Sequence, residues 1–370
     1  MKIFLWVLLA LGIVSGIGFW LFHNLVGKEN PEYILKLMDE KAKDGKIAMT
    51  INFNDENMVS VNANSELPLA STMKIVVAIE FARQAAEGKL DPNQEVSLRE
   101  LEHFYIPNTD GGAHPAWIKS LDASKKSDSV VSLYEVAKGM IGYSSNANTD
   151  YLMDVLGLEN INNLLNDLEL TTHDPLYPIV GALYIPLQLL HEEQVTKDFL
   201  LDELQGMEMN EYRERAITIS KEWKANPLSS EKKEEMVKNL GMDIQRVWSD
   251  RLPGSSANDY MVIMEKLNNK EYFSEDVHRY LDPIMEQLME NSANQQWLEH
   301  AGQKGGSTAF VLTMAMYATD KQGNKTEMVF LADDLSRLQQ QKLSRNINSF
   351  QLRILREEAF REKVKEELAN

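Results

Sequence analysis

The sequence predicts an α/β chain of two lobes, an antiparallel sheet flanked by helices beside a mainly helical lobe. Three patterns carry this. Apolar residues alternate over Lys46–Phe53 (Ile47, Met49, Ile51, Phe53), the period of a half-buried strand. Strand-like runs return late, at Ala309–Ala318 and Met328–Ala332. Between them helical spacing dominates. With 370 residues, 44% hydrophobic and 25% charged, the chain can bury a sizeable core.

Taken in order, Ile3–Phe22 is a 20-residue run without charge. As a helix it spans roughly 30 Å, one hydrocarbon core. Phe19–Phe22 continues the run past Ser15, Gly16 and Gly18, so residues 1–27 read as an uncleaved signal-anchor, with a cleaved signal as the alternative. The remaining chain, 28–370, reads as one extracytoplasmic catalytic domain at a bacterial cell membrane, or secreted if the leader is removed. Tyr33, Ile34, Leu37 and Met38 mark a helix within Asn30–Asp44. The Lys46–Phe53 strand turns at Asn54–Asn57 and returns through Met58–Asn62. A helix follows Lys74 and ends near Gly88.

Asp91–Asp128 is loop-rich, and Asn108–Trp117 within it suits a site rim. Helices are expected at Ser132–Met140, Asn148–Leu156 and Leu158–Leu168. Thr171–Pro186 is irregular and apolar. His191–Asp250 is dense in charge of both signs, and reads as a helical insertion (about 190–250) that pads one face with solvated helices. Helices at Ala257–Leu267 and Glu275–Glu290 precede Ala301–Thr308, and Ser336–Leu368 is helical.

The net charge of −18 argues against a nucleic-acid partner, because phosphate backbones select basic surfaces. The chain has no cysteine, which excludes thiol catalysis, disulfides and thiolate metal sites. Its seven histidines form no HExxH or other close ligand pair, so no metal is expected, and no cofactor.

Three polar clusters stand out. Ser71 and Lys74 are spaced Ser-x-x-Lys ahead of the apolar run Ile75–Ile79. On a helix that spacing sets an amine beside a hydroxyl, near free N–H groups at the helix start. A serine nucleophile needs both an adjacent base and a stabilised oxyanion. Ser144-Ser-Asn146 lies between two expected helices. Lys304-Gly-Gly306 opens a late strand.

In this order the clusters resemble the motif set of the penicillin-recognising serine hydrolases, the class A β-lactamases and D-alanyl-D-alanine peptidases. The lead-in from Ala48 to Lys74 is similar to that family's first two strands and nucleophile helix, and Ser144–Met153 to its second motif and helix. The likeness covers roughly residues 30–335, interrupted at 190–250. It implies a β-lactamase/transpeptidase-like fold in which early strands (46–62) and late ones (307–332) share one sheet, with the C-terminal helix on one face. It also implies roles: Ser71 as acylated nucleophile; Lys74 as proton acceptor or positioner of the base; Ser144 as proton relay to the leaving amine; Asn146 as donor to the acyl amide; Lys304 as an electropositive anchor for a carboxylate; and the N–H groups of Ser71 and Ser307 as the oxyanion hole.

Three departures narrow the expectation. The interval at which a class A enzyme carries its deacylating Glu falls on Tyr177–Val180, which holds no acid; Asp174 is the nearest. Ser145 replaces the middle Asp of the second motif. Gly305 replaces Thr in the third, leaving Ser307 or Thr308 to supply a hydroxyl. The expected activity is acyl transfer through Ser71 on a small-molecule or peptidoglycan-peptide substrate, a D-Ala-type amide or ester. The alternatives are a true β-lactamase, or a penicillin-binding sensor or scaffold that acylates without turnover.

Overall fold

A computed structural model describes residues 29–122 and 129–368. The expected anchor at 1–27 lies outside these residues, and among the described helices none is long and apolar enough to cross a membrane.

The frame is a five-stranded antiparallel sheet. β1 (Ile47–Phe53) and β2 (Glu56–Val61) form the early hairpin. Two short ladders follow in the helical part: β3 (Leu67–Pro68) with β6 (Gly254–Ser255), and β4 (Glu95–Ser97) with β5 (Val130–Ser132). The late strands are β7 (Leu298–Ser307), β8 (Leu312–Asp320) and β9 (Lys325–Ala332), and the sheet order is β2-β1-β9-β8-β7. Early and late strands therefore share one sheet, joined where β1 lies against β9 in the register Met49–Phe330.

Alternation decides the layers. Met49, Ile51, Met316, Met328 and Phe330 point to one face, where they meet Ile34, Leu37 and Met38 of the Tyr33–Lys41 helix and Leu343, Phe350 and Phe360 of the C-terminal helices Arg337–Arg356 and Glu358–Leu368. Ala48, Ala315, Tyr317, Val329 and Leu331 point to the other face, which packs on the helical lobe. A one-residue slip in any strand would exchange the two sets, so the pattern fixes register.

The Lys74–Ala86 helix runs through the centre of the helical lobe. Its residues Ile75, Val76, Val77, Ala78, Ile79, Phe81 and Ala82 are fully buried. A helix apolar on all sides is a core helix. It packs against the helices Leu133–Gly142, Asn146–Leu156, Leu158–Asp167 and Glu275–Met285.

Two expected elements differ. The strand pattern places Lys304 at the opening of a strand that continues through Ala309; the structure places it inside β7, and the next strand starts at Leu312. Three glycines within β7 (Gly302, Gly305, Gly306) remove the side chains that alternation needs, and so hide the strand. The charged stretch 190–250 forms the helices Lys197–Gly206, Met209–Ala225, Ser230–Asn239 and Met242–Asp250. It does more than pad a face, because its last two helices reach the central cavity.

Candidate active site

Ser71 does not open the α-helix. It sits in a 3-10 turn, Ala70–Met73, and the α-helix begins at Lys74. Ala70 holds φ +46°, the left-handed region, so the chain bends sharply just before the serine. Behind this turn Thr313 of β8 donates its hydroxyl to Leu69 O (2.8 Å) and accepts from Thr72 Oγ1 (2.6 Å). β7 presses on it as well: a Cβ at Gly306 would stand 2.5 Å from Ser71 N and 2.9 Å from Leu69 O. Only glycine lets the third motif approach the nucleophile turn this closely.

Lys74 is fully buried and reaches the second motif. Its Nζ donates to Ser144 O (2.6 Å) and Asn146 Oδ1 (2.7 Å), with Ser144 Oγ at 3.3 Å. Lys304, also buried, donates to Ser144 Oγ (2.9 Å) and Gly305 O (2.6 Å). Ser144 is thus the junction of two amines, and it stands in the left-handed region at φ +70°. Burial, and then the facing charge of Lys304, pushes the Lys74 amine well below the usual lysine value. Burial alone pushes Lys304 down to about 7.

Ser71, Ser144, Asn146 and Ser307 line one cavity of about 750 Å³. Among the described residues the hydroxyls of Ser71 and Ser307 make no hydrogen bond, so both are available to a ligand. Thr308 is not: its hydroxyl bonds Ser249 (2.7 Å) and accepts from Phe310 N and Val311 N. Four of the six residues singled out in the sequence thus line the cavity, and the other two, Lys74 and Lys304, reach it through Ser144. The exact partner of Lys74 differs from the sequence picture, since its amine bonds Ser144 and Asn146 and not Ser71.

The Beta-lactamase enzyme family profile matches residues 31–296. The chain belongs to the beta-lactamase enzyme family. Among solved structures it is similar to a beta-lactamase from Sphaerobacter thermophilus DSM 20745, at 14% identity over 85% of this chain and 93% of that one, TM-score 0.52. It is also similar to a class A beta-lactamase representative from Bacteroides cellulosilyticus DSM 14838, at 14% identity over 92% and 99%, TM-score 0.50. These likenesses establish the two-lobed fold. No curated protein sequence matches the chain.

Carboxylates are sparse around the cavity of this beta-lactamase family member. Asp110 is the only acid among the described residues that line the cavity, and both its oxygens accept backbone N–H groups, from Gly112 (3.1 Å) and His114 (2.9 Å). Asp174 faces away: it pairs with Arg213 (2.6 Å) and accepts from Gly254 N (3.1 Å). Where the sequence interval looked for a base, Ile179 stands on the wall, joined by Leu183 and by Val237, Leu240 and Trp248 from the charged stretch.

Sequence reasoning missed several residues that build the site. Asp150 is fully buried and accepts from Ile179 N (3.1 Å), Val180 N (2.8 Å) and Gly181 N (3.4 Å), tying the second-motif helix to the cavity wall. Burial lifts its carboxyl to about 7. Its position four residues after Asn146, on one helix face, was the available signal. The rim residues Asn108–Gly112 do line the cavity, but Ala113–Ser120 beyond them is a helix.

Proposed function

We propose that this serine hydrolase works through an acyl-enzyme on Ser71, and that its donor is a D-Ala-type cell-wall peptide or a related amide or ester. Ser71 Oγ attacks the donor carbonyl and passes its proton to Lys74. A neutral Lys74 amine has two N–H groups, spoken for by Ser144 O and Asn146 Oδ1, and one lone pair free for that proton. The oxyanion lies between the N–H groups of Ser71 and Ser307. As the C–N or C–O bond breaks, Ser144 protonates the leaving group and is resupplied by the amines around it. Asn146 and Lys304 hold the acyl amide and the carboxylate.

The observation that carries this reading is the convergence of both lysines on Ser144 beside an unengaged Ser71. The apolar wall at Ile179 and Leu183 favours slow hydrolysis of a penicilloyl ester, because no acid there can activate water. The test is intact-protein mass spectrometry of residues 29–370 with benzylpenicillin, beside Ser71→Ala. A persistent adduct absent from Ser71→Ala is expected. Rapid clearance with penicilloate accumulating would make the chain a β-lactamase; an unmodified wild type would overturn the reading for this donor class. We further propose that Ile3–Phe22 holds the enzyme at the membrane. Full-length chain should then sediment with membranes after alkaline carbonate washing, and recovery in the supernatant would refute the anchor.

A further inference from the structure

The second motif carries Ser145 at its centre, and the structure gives this serine a buried partner. Ser145, Asn148 and His114 are all at most 1% exposed. His114 Nδ1 lies 2.9 Å from Ser145 Oγ. The proton positions around this contact follow from the neighbours. Asn148 Nδ2 donates to Val136 O (3.0 Å), which fixes the amide so that Oδ1 faces Ser145 Oγ at 3.0 Å. An amide oxygen only accepts, so the single Ser145 proton goes there. Asn148 N–H also donates to Ser145 Oγ (3.2 Å). The remaining lone pair of Ser145 then requires a donor, and His114 Nδ1 must carry a hydrogen. His114 Nε2 is buried without a hydrogen-bond partner, with Glu102 Oε1 at 3.4 Å.

His114 is also tied to the cavity rim through its backbone. Its backbone N–H donates to Asp110, the residue that folds the Asp110–Gly112 rim, and its ring lies tilted against Tyr105 (4.8 Å) and Trp117 (5.6 Å). One residue thus touches both the rim and the motif. Ser144, next in chain to Ser145, is a non-glycine residue at φ +70°, a conformation that persists only when its surroundings hold it. Lys74 holds it from one side, through Ser144 O. On the other side the fixed point is Ser145.

We propose that His114 is a positioning residue: its Nδ1–H anchors Ser145 and so holds Ser144 and Asn146 in the geometry that serves acylation at Ser71. This rests on the acyl-enzyme reading above. Asparagine can place an N–H where Nδ1 stands; glutamine places one near Nε2 instead. His114→Asn should therefore keep the rate constant of acylation by benzylpenicillin near wild type. His114→Gln and His114→Ala should each lose on the order of a hundredfold, the cost of misplacing a reacting constellation by about 1 Å. Ser145→Ala should lose a similar factor, and adding His114→Gln to it should cost nothing more, because the two residues act through one contact.

A structural readout separates this from the function. In [15N]histidine-labelled wild type, the ring assigned through its NOEs to Tyr105 and Trp117 should show a protonated Nδ1. If neither wild type nor variants acylate, the acyl-enzyme reading fails for this donor, and the ring state still decides the assignment. A bare Nδ1 with Nε2–H overturns it, as does equal acylation by His114→Asn and His114→Gln in folded protein.

Discussion

Two lysines that share one serine hydroxyl set the chemistry at the scale of single residues. Their burial lowers both amines, but the tasks proposed for them require opposite charge states. Lys74, held well below its ordinary value by burial and the charge of Lys304, is shifted in the direction that the proposed base requires. Lys304, pushed down to about 7, is a cation only below that pH, and an anchor for a carboxylate must be a cation. Acylation by an anionic donor such as benzylpenicillin should therefore fall as pH rises through about 7. A neutral ester donor should show no such descending limb. Rate constants measured between about pH 5 and 9 decide this; a flat profile for the anionic donor would remove Lys304 from carboxylate binding. Ile179 makes a second residue-scale prediction. Its side chain stands on the cavity wall at the place that lacks an acid. Ile179→Glu should shorten the lifetime of the penicilloyl adduct at Ser71 relative to wild type, followed by the decay of adduct mass after excess drug is removed. Ser71 and Lys74 stand out in the sequence by their spacing, and Ser144, Asn146, Lys304 and Ser307 by the resemblance of their motifs; the fold brings these residues together. Asp150 and His114 were not. Each acts on partners distant in the chain, which the i,i+4 placement of Asp150 after Asn146 does not reveal.

At the scale of elements, the site depends on how tightly β7 lies against the nucleophile turn. The space that a methyl on Gly306 would need is held by Ser71 N and Leu69 O, with Thr313 Oγ1 beside them. Backbone cannot yield as a flexible side chain can. Gly306→Ala should destabilise the fold by about 1–3 kcal/mol, the usual range for overpacking. It should also slow acylation far more than the stability loss alone explains, since the turn carrying Ser71 must move. Denaturant titration together with the acylation rate tests both; unchanged acylation would show that the third motif does not set the nucleophile. The same glycines explain why β7 was hard to read. β1 announces itself because Ile47, Met49 and Ile51 must face one core, whereas β7 is an edge strand whose small residues serve close approach. The charged helices after residue 190 misled for a related reason. Their surface charge dominates the sequence, while the few apolar residues that reach the cavity, Val237, Leu240 and Trp248, are spread over two helices and the link between them.

The whole molecule is a sheet with a separate core on each face. The helical lobe and the catalytic turn belong to one core; the Tyr33–Lys41 helix and the C-terminal helices belong to the other. The division lets stability and chemistry respond to different changes. Phe360 is 1% exposed and packs edge-on to Phe350 at 5.4 Å, with the Arg353 guanidinium 3.9 Å from its ring centre. It is not among the residues that line the cavity. Truncating a buried phenylalanine to alanine costs about 3–5 kcal/mol through lost transfer energy and the void left behind. Phe360→Ala should lower Tm by several degrees while the acylation rate at 25 °C stays within about twofold of wild type. The link between the cores runs through the Arg337–Arg356 helix, which buries Leu343 and Phe350 in the second core yet lends Ser344, Ile347 and Asn348 to the cavity edge. If Phe360→Ala impairs acylation in folded protein, the C-terminal helices are part of the catalytic architecture, and the two faces of the sheet act as one unit.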